Sequence, residues 1–286
     1  KNHPALRDNT EAFAVLDQAM PTWNPACQGS DEHRDPVFVV GFPRSGTTLL
    51  EQLLDAHPDL ISFDEQPFLQ HIVRRLTANG SQVFDCIQNL TQTQWREQRS
   101  EYFREVALVT PDKKAQRAVD KNPLNMVRLP TLQNFFPQSK VILAIRHPCD
   151  VVLSCYMQHF RAPAFALTFE TIESTAQMYD RVFRHWYQNA EQLKLPVLEW
   201  KYEDLVADTE GRARALFEFL ELPWHEELLA FTERAKNKGA IKTPSYTQVV
   251  EQVNARSVGR WQAYEKYFTP EAMRYLEPWL ERFGYL

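Results

Sequence analysis

The segment Gly41-Phe-Pro-Arg-Ser-Gly-Thr-Thr48 is the first part of the sequence whose composition suggests chemistry. It follows a short apolar run and precedes a stretch with helical spacing. Glycine lets a chain turn tightly, and the backbone N–H groups at the start of a helix can cradle a phosphate group. The segment therefore predicts a phosphate-binding loop between a strand and a helix.

This loop lacks the cation that nucleoside triphosphatases use. Their loop reads GxxxxGK[ST], and Gly41, Gly46 and Thr48 fit it, but Thr47 stands at the lysine position. That lysine reaches the β and γ phosphates, so its absence argues against ATP or GTP hydrolysis. The cation of this loop is Arg44, which suits a donor that carries one 5′-phosphate and a different transferable group. The alternative is an ordinary strand–turn–helix corner with a solvated Arg44.

A second anion site is predicted further along the chain. Arg146 directly follows the apolar run Val141–Ile145, and Ser154 lies in the helix entered at Pro148. An arginine at a strand end beside a helix start offers a fixed, forked cation, and serine adds a directional donor. Taken alone, Arg-x-Pro-x-Asp is also a common helix opening. The pairing with the upstream loop is what favours a binding function.

Pro43-Arg-Ser-Gly-Thr-Thr48 resembles the 5′-phosphosulfate loop of sulfotransferases, which usually reads PRSGTT or PKSGTT. The resemblance implies a P-loop nucleoside-triphosphatase-like α/β fold, a central parallel sheet flanked by helices. It also implies a donor, 3′-phosphoadenosine-5′-phosphosulfate (PAPS), whose product is PAP. The resemblance assigns the 5′-phosphosulfate to Arg44, Ser45, Gly46, Thr47 and Thr48, and the 3′-phosphate to Arg146 and Ser154. The implied reaction is in-line transfer of a sulfuryl group to an acceptor hydroxyl on a peptide tyrosine, a carbohydrate or a small molecule.

Further segments are similar to tyrosylprotein sulfotransferases and their bacterial relatives. Asp55-Ala-His-Pro58 and Asp64-Glu65-Gln66 resemble the stretch that carries the catalytic glutamate of those enzymes, and Lys121-Asn-Pro123 resembles their catalytic Lys-x-Pro. The resemblance therefore implies that Glu65 and Lys121 are catalytic together with Arg44. In those Golgi enzymes, cysteines near these two residues are disulfide-bonded, whereas no cysteine lies close to either residue here.

The resemblance extends to the remainder of the donor site. Tyr202-Glu-Asp-Leu205 resembles a segment whose tyrosine lies near the adenine, and Arg260-Trp261 resembles a C-terminal Lys-Trp pair. Tyr202 and Arg260 are therefore expected to bind the donor. Gln158 stands where the related enzymes place a further cation, so the third contact to the 3′-phosphate is open between Arg256 and Arg260.

Sulfuryl transfer needs a base for the acceptor proton, and Glu65 is the predicted base because a carboxylate in hydrogen-bond reach of a hydroxyl can take its proton. The alternative is that Asp64 and Glu65 begin a surface helix and complement its dipole. Three histidines compete for the role: His57, His71 and His159. Lys121 is expected to stabilise the sulfuryl oxygens and the leaving phosphate; the alternative is a solvated lysine after a short strand. No metal is expected.

Two other functions compete with sulfuryl transfer. A small-molecule kinase on a related phosphate-loop fold is disfavoured by Thr47 at the lysine position. A non-catalytic nucleotide-binding module would predict the loss of Glu65 or Lys121, yet both are present.

The predicted elements alternate between strands and helices, which indicates a parallel sheet covered on both faces. The predicted strands lie at Val37–Gly41, Ala118-Val119, Lys140–Ile145 and Val197–Trp200. The predicted helices cover Thr10–Ala19, Leu49–Ala56, Glu65–Thr77, Thr91–Ala107, Leu124–Phe135, Pro148–His159 and Thr171–Leu193. Residues 1–35 are interpreted as an N-terminal extension, the end of an upstream region, and residues 36–286 as one sulfotransferase domain.

Bulk properties narrow the class further. The 286 residues carry a net charge of −5, which gives no general attraction to nucleic acid. Four scattered cysteines without a CxxC pair fit neither a zinc site nor a disulfide framework. With no apolar run long enough to cross a bilayer, these features favour a cytoplasmic protein. The acceptor, and whether the chain forms a homodimer, stay open.

Overall fold

The computed structural model describes Leu16, Asn24, Cys27 and residues 31–110, 116–160, 163–231 and 257–286. The helix predicted at Thr10–Ala19, apart from Leu16, lies outside the described residues, and so does Arg256. In these described ranges, no helix combines the length and the apolar character that crossing a membrane requires.

In the part of the chain that the structure describes, five parallel strands form one sheet, which confirms the predicted central parallel sheet. They are β1 (Val37–Gly41), β2 (Leu60–Ser62), β3 (Arg117–Lys121), β4 (Lys140–Ile145) and β5 (Val197–Lys201), in the order β2-β3-β1-β4-β5. The register pairs Val39 with Lys121 and Gly41 with Ala144. The carboxyl ends of β1, β3 and β4 therefore meet at one edge.

Helices cover both faces of this sheet. They are α1 (Thr47–Asp55), α2 (Phe68–Leu76), α3 (Val83–Gln88), α4 (Gln92–Val109), α5 (Leu129–Phe135), α6 (Pro148–Tyr156), α7 (Pro163–Thr168), α8 (Ile172–Ala190), α9 (Tyr202–Ala207), α10 (Thr209–Leu220) and α11 (Pro270–Arg282). Turns of 3₁₀ helix lie at Pro123–Val127, Glu226–Ala230 and Arg260–Tyr267.

The side chains of β1 alternate between two buried apolar layers. Val37 and Val39 pack with the layer of α1 and α10, whereas Phe38 and Val40 pack with the layer of α5, α6, α8 and α11. Successive side chains of a strand point to opposite faces, so a strand buried on both faces reads as a continuous apolar run. The run Val-Phe-Val-Val fits this position.

Several element boundaries differ from the prediction. The helix predicted to begin at Glu65 begins at Phe68, because Asp64 adopts a left-handed backbone with φ 58° and Pro67 occupies the N-cap position. The helix predicted at Leu124–Phe135 divides into a 3₁₀ turn and α5, which has a proline in its first turn. Strand β2 and helices α3 and α7 were not predicted; each has six residues or fewer.

The strand order reverses direction at β1. After β1 the chain builds β2 and β3 on one side, and it then builds β4 and β5 on the other. Ligands of open α/β sheets bind in the crevice beyond the carboxyl ends of the strands at such a reversal. The predicted site residues follow the carboxyl ends of the strands or face this edge.

Candidate active site at the carboxyl edge of the sheet

The loop between β1 and α1 has a backbone that restricts which residues fit it. A Cβ on Gly41 would lie 2.7 Å from the carbonyl oxygen of Ala144, so glycine allows β1 to approach β4 closely. Gly46 has φ 89°, and a Cβ there would lie 2.6 Å from Cδ2 of Tyr202. Arg44 also adopts a left-handed backbone, with φ 71°. A non-glycine residue in that region costs roughly 1–3 kcal/mol, and such strain clusters at functional sites.

The start of α1 offers unsatisfied donors to an anion. Gly46 is its N-cap and supplies no side-chain cap. Among the described residues, no acceptor reaches the backbone N–H groups of Gly46, Thr47 or Thr48. The hydroxyl oxygen of Ser45 is buried and has no hydrogen-bond partner there either. Free helix N-terminal donors beside an orphaned buried hydroxyl fit a phosphate-like group.

The two predicted anion sites are in direct contact. Arg44 Nε donates to Ser154 Oγ at 3.0 Å, and Arg146 Nη1 donates to the carbonyl oxygen of Arg44 at 3.3 Å. Burial lowers the pKa of Arg44; Arg146 and Arg260 add to this shift, while Cys155 and Glu65 oppose it. Arg44 therefore lies within electrostatic reach of both the second anion site and Glu65.

Arg146 lies between the phosphate loop and the C-terminal part of the chain. Its guanidinium carbon is 5.0 Å from the centre of the Tyr202 ring, and Nη2 donates to the carbonyl oxygen of Ser257. Its Nε is buried without a partner among the described residues. A small cleft at this point is lined by Arg146, Asp150, Leu153, Ser154, Ser257 and Arg260. A forked cation with a spare donor fits a second anionic group in this cleft.

Asp150 holds the C-terminal side of the cleft in place. This carboxylate is buried on α6 and accepts the N–H groups of Gly259 and Trp261, each at 2.8 Å. Between these two residues, Arg260 approaches Met157 Sδ at 3.6 Å. Asp150 thus fixes the segment that carries Arg260 beside Ser154.

On the other side of the loop, a lysine lies between two carboxylates. Lys121 ends β3 and is fully buried; its Nζ is 3.0 Å from Glu65 Oε1 and 3.2 Å from Glu51 Oε2. Burial alone would lower the pKa of Lys121, but Glu51 and Glu65 outweigh this effect and raise the pKa. Lys121 is therefore held as a cation. The alternative of a solvated lysine is wrong.

A tight turn after β2 directs Glu65 towards Lys121. Asp64 takes the left-handed backbone, and Asn122 Nδ2 donates to the carbonyl oxygen of Gln66 at 3.2 Å. Gln66 Nε2 donates back to the carbonyl oxygen of Phe63 at 3.1 Å. Because α2 begins only after this turn, Glu65 does not lie in the first turn of a helix, and the helix-dipole alternative is wrong.

The histidines that compete for the role of base have other surroundings. His57 is buried; its Nδ1 accepts the N–H of Asp59 at 3.1 Å, which leaves Nε2 to donate to the carbonyl oxygen of Pro223 at 2.9 Å. His71 Nδ1 lies 2.8 Å from Glu105 Oε2, between α2 and α4. His159 is exposed. Within the described residues, none of these three rings contacts Arg44, Lys121 or Arg146.

Glu51 and Asp150 were not identified as site residues from the sequence. Glu51 was assigned only to a helix, and Asp150 only to a helix opening. Both carboxylates are buried in the structure, and carboxylates are almost never fully buried unless paired, but no pattern in the sequence marks either of them as buried. Their partners are distant in sequence, so the pairing itself was not visible.

Comparisons with known proteins identify the family and the fold. The model described as "Sulfotransferase family" matches residues 36–226. An uncharacterized protein of Aquifex aeolicus is 33% identical over 246 residues, which cover 82% of this chain but 31% of that protein. The chain thus spans about a third of the length of that relative.

A second relative carries a functional name. Protein-tyrosine sulfotransferase 1 of Danio rerio is 25% identical over 256 residues, which cover 87% of this chain and 72% of that protein. Among solved structures, the sulfotransferase domain from the curacin biosynthetic pathway superposes with a TM-score of 0.60 at 18% identity and covers 89% of this chain and 99% of that domain. The structural likeness bears on the fold alone, and it confirms the predicted fold.

Proposed function

This chain belongs to the sulfotransferase family, and from that premise we propose that it transfers the sulfuryl group of PAPS to an acceptor hydroxyl. The observation that carries the proposal is the meeting of three parts at one sheet edge. These are an uncapped helix start with an orphaned hydroxyl, a forked arginine beside a serine, and a lysine–glutamate ion pair.

The residues divide into two donor-binding groups. Ser45, Gly46, Thr47 and Thr48 would hold the 5′-phosphosulfate through N–H and hydroxyl groups, with Arg44 as the loop's own cation. Arg146, Ser154 and Arg260 would hold the 3′-phosphate, and Tyr202 would lie beside the nucleotide. Their cleft has the forked cation and the directional donor that a phosphate monoester needs.

Glu65 and Lys121 would carry the chemistry. Glu65 is the base for the acceptor proton. Lys121 places a fixed positive charge where negative charge accumulates on the transferring group, and a buried cation acts more strongly there than in water. Arg44 supplies a second cation from the phosphate loop itself. No step of this scheme requires a metal ion, so removing divalent cations with a chelator should leave turnover unchanged.

The donor assignment is tested by calorimetry with three nucleotides. We expect PAP to bind about ten- to a hundredfold more tightly than 5′-AMP, because one charge-assisted contact contributes ~1.5–3 kcal/mol. ATP should bind weakly and should not be hydrolysed, with or without magnesium. Arg146→Lys should reduce the preference for PAP because it replaces the fork with a point charge. Equal affinities for PAP and 5′-AMP in the native protein would contradict the assignment.

Acceptors are tested with radiolabelled donor sulfate. Since the Danio rerio relative is named a protein-tyrosine sulfotransferase, peptides with an exposed tyrosine are the first acceptors to assay. Carbohydrates and small phenols follow. Transfer of label to any of these classes supports the function; Mg²⁺-dependent transfer of the ATP γ-phosphate would favour a kinase instead.

We also propose a cytoplasmic location. All four cysteines have free thiols, and burial raises the pKa of Cys27 and of Cys149 to about 12. Thiols of this kind persist unpaired in a reducing compartment. Microscopy of the protein in its source cells would test the location.

A further inference from the structure

Lys121 has two carboxylate partners with very different access to solvent. The side chain of Glu51 is 1% exposed and that of Glu65 is 45% exposed. Glu51 belongs to α1, the helix that begins in the phosphate loop, whereas Glu65 lies in the turn after β2. One partner is therefore fixed in the interior, and the other can turn towards solvent or an acceptor.

Glu51 has little to stabilise it apart from Lys121. Within the described part of the chain, neither of its carboxylate oxygens accepts a hydrogen bond of normal geometry. Burial raises the pKa of Glu51 and Lys121 opposes this shift, while Asp64 and Glu65 add to it. A buried carboxylate is costly unless a nearby cation compensates its charge. Glu51 and Lys121 therefore depend on each other.

The proposed chemistry requires Glu65 to change partner. When the acceptor hydroxyl attacks, its O–H bond breaks and the proton goes to Glu65. The acceptor oxygen bonds to sulfur, and the bond from sulfur to the 5′-phosphate oxygen breaks to release PAP. A neutral Glu65 no longer balances the charge of Lys121. If Glu65 were the sole carboxylate partner of Lys121, each turnover would leave the buried ammonium without one, and removing one partner of a buried ion pair is strongly destabilising.

We propose that Glu51 is a positioning residue that acts through Lys121 as its permanent counter-ion, an inference that rests on the proposed function. Glu51 keeps Lys121 charged and in place from the interior, which frees Glu65 to accept the acceptor proton. It also joins α1 to β3, so the phosphate loop and the lysine keep a fixed spacing.

The decisive variant is Glu51→Gln, which keeps the shape and removes the charge. Among the described residues, Glu65 is then the one carboxylate left in ion-pair contact with Lys121 Nζ, so protonating it is harder. We expect kcat at neutral pH to fall roughly tenfold or more, while KM for the donor changes less than about threefold. The acid limb of the kcat–pH profile should move down by roughly one pH unit, since an adjacent opposite charge shifts a titration by that order.

Glu51→Asp tests the same idea without removing the charge. The shorter side chain should lower kcat, but the acid limb should stay near its wild-type position. The matched control is Asp35→Asn, which removes a buried carboxylate that pairs with Arg99 at 2.7 Å and belongs to neither anion site. We expect it to lower the melting temperature and to leave the acid limb in place.

The outcomes separate this inference from the function on which it rests. A wild-type protein that binds no PAP and labels no acceptor would reject both. Wild-type transfer together with an unchanged kcat and acid limb in Glu51→Gln would overturn the inference alone. If Glu51→Gln fails to fold, Glu51→Asp decides: an acid limb displaced by a pH unit despite the retained charge would also overturn it.

Discussion

At the residue scale, Glu65 combines solvent access with a direct bond to a buried cation. Its side chain is 45% exposed while its Oε1 accepts from Lys121 Nζ at 3.0 Å. An acceptor hydroxyl approaching from solvent can thus reach Glu65 without any movement of β3. In the proposed reaction, the same geometry would bring the acceptor oxygen towards the cation of Lys121.

This arrangement predicts a separation of catalysis from binding in Glu65→Gln. The amide keeps the size of the side chain and can still contact Lys121, so PAP affinity should remain within about threefold of wild type. Turnover should fall by ~10²–10⁴-fold, the usual effect of removing a general base. Calorimetry and labelled-sulfate transfer measure the two quantities.

Glu101→Gln is the control for that experiment, because it alters an exposed carboxylate that pairs with Arg104 on α4. Near-normal turnover in Glu65→Gln would move the base to a histidine. His159 would then be tested first, since both ring nitrogens of His57 have partners.

Asp120 precedes Lys121 but is stabilised by different partners. It is fully buried, accepts from Tyr102 Oη at 2.9 Å and from Asn125 Nδ2 at 3.1 Å, and has its pKa raised from 3.8 to about 7 by burial. The folded protein therefore holds this proton more tightly than the unfolded chain does. The stability that Asp120 contributes is present below pH ~4 and is lost as the pH rises towards ~7.

This loss of stability with rising pH predicts how an Asp120→Asn variant should behave. Asp120→Asn mimics the protonated carboxyl, so its melting temperature should gain on that of wild type as the pH rises from 4 to 7. This gain corresponds to a difference on the order of a few kcal/mol between the free energies of unfolding of the two proteins. Thermal melts of both proteins across this range measure it, and parallel curves would show that Asp120 titrates normally.

At the element scale, the packing of α9 against the phosphate loop restricts which residue can stand at position 46. Tyr202 starts α9, and its ring occupies the space that a side chain at position 46 would need. Gly46→Ala should therefore weaken PAP binding by more than tenfold and destabilise the fold by roughly 1–3 kcal/mol. Calorimetry and chemical denaturation test these two effects.

Gly80 offers a matched control for this variant. It has φ 85°, close to that of Gly46, but a Cβ there would meet no atom within 4 Å. Gly80→Ala should show the backbone strain alone, roughly 1 kcal/mol, and unchanged PAP binding. Equal behaviour of the two alanine variants would mean that the contact with Tyr202 is unimportant.

Strands β1 and β4 were predictable from the sequence, whereas β2 was not. Strands β1 and β4 were predicted because each is a continuous apolar run, which parallel strands covered on both faces require. Strand β2 has three residues, of which Leu60 and Ile61 are buried, and no pattern of useful length exists there. Its position depends on pairing with β3, a contact between distant segments.

Glu51 illustrates the same limit inside the site. In a helix with one exposed face, a glutamate in the run Leu-Leu-Glu-Gln-Leu-Leu would be expected to face solvent. In α1, however, every residue from Thr47 to Leu54 is buried. Only the position of Lys121 on a distant strand explains a carboxylate there. The motif residues Arg44, Arg146 and Lys121 were identified from the sequence, whereas the groups that hold them were not.

At the scale of the whole molecule, the thiols indicate that folding does not depend on oxidation. Cys155 is buried on α6 and its Sγ lies 3.3 Å from the carbonyl oxygen of Pro43, and burial raises its pKa. We expect dithiothreitol to leave the melting temperature within about 1 °C and turnover unchanged, because no disulfide is lost. Calorimetry with and without reductant tests this. A fall of several degrees would reveal a covalent link.

The central place of β1 has a consequence for the synthesis of the protein. A ribosome releases the run Val37–Gly41 before both neighbours of this strand, because β3 and β4 are encoded far downstream. Until they emerge, a highly apolar strand has two unpaired edges, which is a template for aggregation. Over this interval the nascent chain exposes an apolar strand, and the phosphate loop that follows β1 can pack against the end of β4 only after β4 has been made.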